Sequence, residues 1–457
     1  MKTNPLRLFL VPGLLFVSVF GLLTTPDAVA QRLVLENARL VDVAAGEISE
    51  PRSLEVHSGW IVEPGGGNAN TDRRIDVQGA FVIPGLAEMH AHVPPMRDEQ
   101  RVQDVLDLFL AHGITTIRGM LGEPGHLVLR RELALGDRRG PRLITSGPSL
   151  NGNSVADASQ ARLMVRRQHE AGYDFLKLHP GLRPDTFQAI VEAADALGMP
   201  YGGHVSLAVG IERALAARQA TIDHLDGYAD GLVPADHPAR QREPALFGFN
   251  LGDAFELDRV ETWAERTAAA GVWNVPTQTL IENLALGDPD ALLARPAMRY
   301  VDAATREQWA ARVRQTQQSQ PGESLARFVE VRRALILALH EAGAGLLLGA
   351  DAPQIMNVPG DAVHHELELL VAAGLSPTEA LATGTVNVAR FFGQSAHGCL
   401  APGCVADLVV LQADPLADVS NVRRIDGVMR AGQWFDRERL DAMLEEIAAR
   451  ANPEGPD

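Results

Sequence analysis

Phe81-Val-Ile-Pro-Gly-Leu-Ala-Glu-Met-His-Ala-His92 is the stretch from which the organisation of the chain can be read. A short apolar run ends in His-x-His. On a β-strand, positions i and i+2 point to the same side, so His90 and His92 converge on one point. Imidazole is a common ligand for zinc and similar ions. Taken alone, the pair is equally compatible with two incidental histidines. Its meaning depends on further ligands downstream, one per strand end.

Such strand ends recur. After residue 84 an apolar strand followed by a helix repeats along the chain. Strands are expected at 113–119, 142–147, 174–179, 200–205, 220–225, 272–277 and 345–351, with helices such as those near 98–112 and 157–171 between them. With the His-x-His strand the count reaches eight. Alternation to that number predicts an α/β fold, a (β/α)8 TIM barrel. Residues 32–83 read as short alternating strands and strands return after 397, so the two chain ends are expected to pair into a small β-sandwich. The divisions that follow are 1–30 as a signal peptide, 31–83 and 394–440 as the two parts of the sandwich, 84–393 as the barrel, and 441–457 as a C-terminal helix or tail. Two stretches lengthen the repeat. A loop at 229–256 and a polar helical insertion at 281–321 leave the C-terminal ends of strands six and seven, where such barrels build their sites.

The 457 residues suit a barrel plus an accessory domain. Hydrophobic residues at 46% and charged ones at 22% fit a soluble globular protein. A net charge of −17 without a basic cluster argues against nucleic-acid binding. Lys2 and Arg7 precede an apolar run from Leu8 to Leu23, and Ala28-Val29-Ala30 supplies a small-x-small cleavage site. Export to a bacterial periplasm or beyond is expected, with no stable membrane anchor after cleavage. The only cysteines, Cys399 and Cys404, flank a Pro-Gly turn. A hairpin disulfide fits an oxidising compartment, and two free thiols are the alternative.

Lysine usage singles out one residue. Lysine occurs only at Lys2 and Lys177, so 39 of the 41 basic residues are arginine. An arginine-biased chain leaves some remainder by chance. The functional reading is chemistry closed to guanidinium: an amine can lose its proton and take up carbon dioxide to give a carbamate, a carboxylate-like bridge between two cations.

Six groups of ligand type therefore fall at strand ends: His90, His92, Lys177, His204, His224 and Asp351. Together they support two divalent cations, about 3.5–4 Å apart, sharing a bridge and an activated hydroxide. His90, His92 and Asp351 hold one, His204 and His224 the other, and carboxylated Lys177 joins them.

Residues 33–42, 82–92, 175–179, 203–205, 222–225, 348–353 and 402–411 resemble the amidohydrolase superfamily, and within it the imidazolonepropionase- and Xaa-Pro-dipeptidase-related branch with binuclear sites. The resemblance covers nearly all of the chain after residue 31. It departs at Arg118-Gly119, where related chains often carry Arg-Asp, and at Cys404, where a lysine is common. It implies hydrolysis of a C–N bond, in an amide or dipeptide-like small molecule, by a metal-bridging hydroxide. The ions would be zinc, and Asp351 would be the catalytic residue that accepts a proton and passes it to the leaving nitrogen. His179, Tyr228 and His364 are candidates for touching substrate. Arg118 is expected to be an ion-pair partner, and His57, His126, His169, His237 and His397 to be surface or loop residues. A mononuclear cyclic-amide hydrolase or deaminase is the alternative within the superfamily. A metal-stabilised binding protein without turnover is the alternative of another class. A homo-oligomer is compatible with all three.

Overall fold

The computed structural model describes residues 32–65 and 73–453, so the expected signal peptide lies outside the described residues. The two chain ends meet in one nine-stranded sheet. Its main path runs Gln433–Asp436, Ile425–Arg430, Leu408–Leu411, Phe81–Pro84, Leu33–Asp42, Arg52–His57, Trp60–Val62, and two short strands also pair with Leu33–Asp42. The junction is antiparallel, with Val409 opposite Ile83 and Leu411 opposite Phe81. Alternation drives this pairing: Leu33, Leu35, Leu54, Val56, Val82, Leu408 and Val410 share one buried cluster, and removing such a face from water stabilises the sheet. Cys399 and Cys404 are joined as a disulfide beside it.

Beyond Pro84 the strands become parallel. Leu86–Ala91, Ile114–Gly119 and Arg142–Thr145 form one three-stranded sheet, while Leu176–Leu178, Tyr201–Gly203, Thr221–Asp223 and Trp273–Val275 form a four-stranded one. Every residue of the first two strands is buried, as expected of parallel strands covered on both faces. A bridge between Ser146 and Phe175 links the two sheets. On the other side Asn274 bridges to Leu346, and the Met89 amide donates to the Leu348 carbonyl at 2.8 Å. The expected eighth strand is thus a short extended segment held by isolated pairs rather than a regular strand.

Helices follow the strands. Asp98 and Asp157 each cap a helix by accepting an amide three residues on, at Arg101 and Gln160, which starts Glu99–Ala111 and Ala158–Ala171. Gly172 ends the latter in the left-handed region, at φ 83°, where a side chain would be strained. The stretch expected as a loop at 229–256 is instead largely helical turns, Pro238–Gln241 and Leu246–Ala254 among them. The reason is apolar burial: Phe249 packs edge-on against Phe328 of the helix Gly322–Glu341, at 5.0 Å between ring centres. After residue 280 the insertion is helical as expected, with Ala303–Ser319 its longest piece. The last helix, Arg437–Ala451, begins four residues earlier than expected because Asp436 accepts from the Arg439 amide.

Candidate metal centre

The six candidate ligands project into one place from the ends of five of the eight parallel segments. His90 lies in Leu86–Ala91 and Lys177 in the middle of Leu176–Leu178, while His92, His204 and His224 follow the ends of their strands. His90, His92 and Asp351 offer ligand atoms within 4.8 Å of one another. His92 Nε2 is 2.7 Å from Asp351 Oδ1, and His90 Nε2 is 3.7 Å from the same oxygen. Lys177 Nζ lies 3.3 Å from His90 Nε2, and the lysine side chain is 0% exposed. The ring of His224 stands 4.5 Å from that of His90 and 4.6 Å from that of His204.

A layer of partners orients these groups. His90 Nδ1 faces Asp223 Oδ2 at 2.9 Å, His204 Nδ1 faces Asp226 Oδ2 at 2.7 Å, and His224 Nδ1 faces Thr277 Oγ1 at 2.8 Å. The contacts of His204 and His224 are hydrogen bonds that engage Nδ1 and leave Nε2 as the ligand atom, while His90 Nδ1 approaches Asp223 without hydrogen-bond geometry. Arg118 secures Asp223 at 3.2 Å and donates to the Met89 carbonyl, so its expected ion pair is present. Arg332 is buried and donates to the His224 carbonyl at 2.6 Å. Glu88 accepts from the amides of His90 and Ala350, tying the first strand to the segment that carries Asp351. His224 and Asp351 sit at φ 61° and 63°, a costly region for side-chain-bearing residues that is held by this surrounding layer.

Burial decides the protonation states. It holds His90 and His224 well below the usual imidazole range, which keeps them neutral with free lone pairs. It also pulls the Lys177 ammonium down to about 8, against the opposing pull of Asp223 and Asp351. Burial alone would raise Asp351, but His90 and His92, together with the His92 hydrogen bond, hold it below the ordinary carboxylate range. His224 Nε2 is buried and has no hydrogen-bond partner among the described residues. An orphaned imidazole nitrogen among three other imidazoles, a carboxylate and an amine fits divalent transition ions.

The centre forms the floor of a cleft of about 880 Å³, walled by Leu246, Phe247, Leu280 and Ile355. His179 lines it and stacks on His204 at 4.7 Å. Tyr228 and His364 do not reach it, which corrects the expectation that they touch substrate. Tyr228 is 1% exposed and its hydroxyl is spent on Thr267 and Asn274, because it opens the short helix Tyr228–Leu232 facing the next helix. His364 is equally buried, against the His112 carbonyl at 2.8 Å. His126, expected at the surface, is 1% exposed and bonds the Pro94 carbonyl. Sequence reasoning did not find Asp223, Asp226 or Thr277. Carboxylates one before and two after His224 were the available signal for the first two, and nothing marked Thr277.

A model of the amidohydrolase family matches residues 81–435 of the chain. An adenine deaminase of Nitratidesulfovibrio vulgaris (strain DP4) is 24% identical over 432 residues, 92% of this chain and 60% of that protein. The chain thus spans about 60% of the length of this curated relative. Among solved structures, a bottromycin amidohydrolase is 26% identical with a TM-score of 0.71, covering 92% of this chain and 90% of its own. A provisionally named prolidase from Bifidobacterium longum is 25% identical with a TM-score of 0.67, at 92% and 99% coverage.

Proposed function

The chain belongs to the amidohydrolase family, and from that premise we propose that it is an exported, metal-dependent hydrolase cleaving a C–N bond, amide or dipeptide-like, in a small molecule. The observation that carries this reading is the fully buried Lys177 amine 3.3 Å from His90, at the centre of four imidazoles and Asp351. His90, His92 and Asp351 would hold one ion, His204 and His224 the other, both zinc. Lys177 would join them as a carbamate, formed when the neutral amine adds to carbon dioxide and releases one proton. Lowering of the ammonium to about 8 makes that neutral amine accessible near pH 7. The bound ions supply Lewis acidity and acidify water.

The protein's own groups do the rest. Asp351 takes a proton from the attacking water and returns it to the leaving nitrogen, acting as base and then acid. Asp226 and Thr277 fix the tautomers of His204 and His224, and Asp223 sets its charge beside His90. The apolar wall of Leu246, Phe247 and Leu280 accepts the substrate's non-reacting part and limits water. The bridges at Ser146–Phe175 and Asn274–Leu346 support closure of the parallel strands and the 345–351 segment into a (β/α)8 barrel over 84–393. The sheet from 31–83 and 394–440 would be a sandwich beside it. The leader at 1–30 would direct the chain to a bacterial periplasm or the medium, and the place in the superfamily would be the imidazolonepropionase- and Xaa-Pro-dipeptidase-related branch.

A second reading, a mononuclear deaminase or cyclic-amide hydrolase, is favoured by the compact three-residue group His90, His92 and Asp351 and by the relative named adenine deaminase. Metal analysis and a library of N-acyl amino acids, dipeptides and adenine, assayed on protein loaded with zinc and bicarbonate, separate the two. Two ions per chain with amide cleavage supports the first reading. One ion per chain with ammonia release from adenine replaces it by the second.

A further inference from the structure

A second cavity, of about 680 Å³, opens at the opposite end of the parallel strands from the metal centre. It lies where strands begin: Arg142 opens one strand, and Phe175 and Tyr201 stand at the starts of the next two. Phe391 and Phe392, from the end of the helix Val386–Phe392, complete an aromatic wall, with their rings 4.9 Å apart. Arg118 closes the top, its guanidinium 5.3 Å above the Phe175 ring and 5.8 Å from that of Phe391. In a barrel this end ordinarily serves stability rather than chemistry, and close packing is its usual state.

The charge at the mouth runs against that of the molecule. The whole chain carries −17. Around this opening stand Arg130, Arg131 and Arg142, with Asp174 as the carboxylate among the lining residues. Asp174 is engaged by Arg130 at 2.7 Å and by the Thr145 amide at 2.8 Å. Arg142 donates to the Gln394 side-chain oxygen at 2.6 Å and sits 2.7 Å from His397 Nε2, with the Asp407 and Asp174 carboxylates close enough to attract its charge, so the excess at the mouth lies with Arg131. Arg131 is exposed at the rim. A cavity with aromatic walls and an excess of guanidinium at its mouth is complementary to a flat apolar body bearing one anionic head. Guanidinium also stacks on an aromatic face, which the ceiling offers through Arg118.

We propose that this cavity is a second ligand site, separate from the metal centre, that takes a small aryl carboxylate with its ring between Phe175 and Phe392 and its carboxylate toward Arg131 and Arg142. The site shares one residue with the supports of the metal centre, since Arg118 also holds Asp223.

The test uses the full chain and phenylacetate as probe, followed by isothermal titration and by ligand-observed NMR. 2-Phenylethanol, the neutral analogue, serves as the control for apolar binding alone. Saturable binding of phenylacetate is expected, at least tenfold tighter than that of 2-phenylethanol. Ala134→Trp fills the cavity from the helix Pro124–Leu135 and should abolish binding. The exposed Arg131→Ala variant, which disturbs no core, should weaken binding by about 10- to 150-fold, the range for a charge-assisted contact. Binding should survive chelation of metal, which separates this site from the cleft. No saturable binding, equal affinity for the neutral analogue, or loss of binding on chelation with no effect of either substitution overturns the proposal.

Discussion

Replacing Asp226 by Asn probes the layer that orients the ligands. Asp226 Oδ2 lies 2.7 Å from His204 Nδ1, with side chains 13% and 12% exposed, so the pair is shielded but not sealed. The carboxylate holds the proton on Nδ1 and directs the Nε2 lone pair into the centre. Asn keeps the size but can present its amino group to Nδ1, which favours the opposite tautomer and puts a proton where the ion would bind. Loss of such a partner weakens metal binding by about 10- to 100-fold, about 1.4–2.8 kcal/mol. Among the described residues the His90, His92 and Asp351 group makes no contact with Asp226, so of the two proposed ions only one should be lost early. Titration with a competing chelator, with metal retained per chain as readout, should show one unchanged midpoint and one displaced by one to two decades. Identical midpoints for both ions in D226N and the parent chain would refute the reasoning.

Arg118→Met leaves Asp223 as a buried carboxylate without its guanidinium, which costs about 3–5 kcal/mol in urea unfolding; a change below about 1 kcal/mol contradicts the ion pair's role. Lys177→Ala should lose the second ion and its hydrolytic activity, and short carboxylic acids such as formate should restore part of both. Full activity without them removes the bridge from the account. Burial pushes His364 down to about 3 from 6.5, so on acidification the unfolded chain takes up a proton before the folded one. The stability linked to this group is fully present above about pH 6.5 and is lost as pH falls toward 3, by at most about 1.4 kcal/mol per pH unit. His364→Gln, which can still donate to the His112 carbonyl, should show a smaller drop in denaturation midpoint between pH 7.5 and pH 5 than the parent; equal drops contradict the assignment.

What the sequence made legible was whatever a strand's period of two can report. An apolar run ending in a polar residue gives a strand and tells which side its last residues face, so the sequence alone groups His90, Lys177, His204 and His224. Lys177 stood out for a second reason, as the single lysine beyond Lys2. The direction of residues on the turns that follow was not legible. Tyr228 is four past His224, yet the helix it opens turns its hydroxyl to Thr267. His364 was expected to touch substrate, but its helix Asp361–Ala372 presents it to the His112 carbonyl. The second layer was hidden because Thr277 and Arg332 are brought to His224 across 53 and 108 residues of chain. The compact turns at 246–254 were misread because the Pro and Asp residues of 229–256 signal a loop, whereas Phe249 and Leu251 within the turns fasten them to the protein.

The most direct measurement is carbon-13 NMR of zinc-loaded protein prepared in labelled bicarbonate, compared with K177A prepared identically. A single protein-bound carbamate resonance, retained after gel filtration and absent from the variant, is the predicted result. A spectrum without that resonance, from parent protein that holds two ions and is active, would contradict the account at its centre.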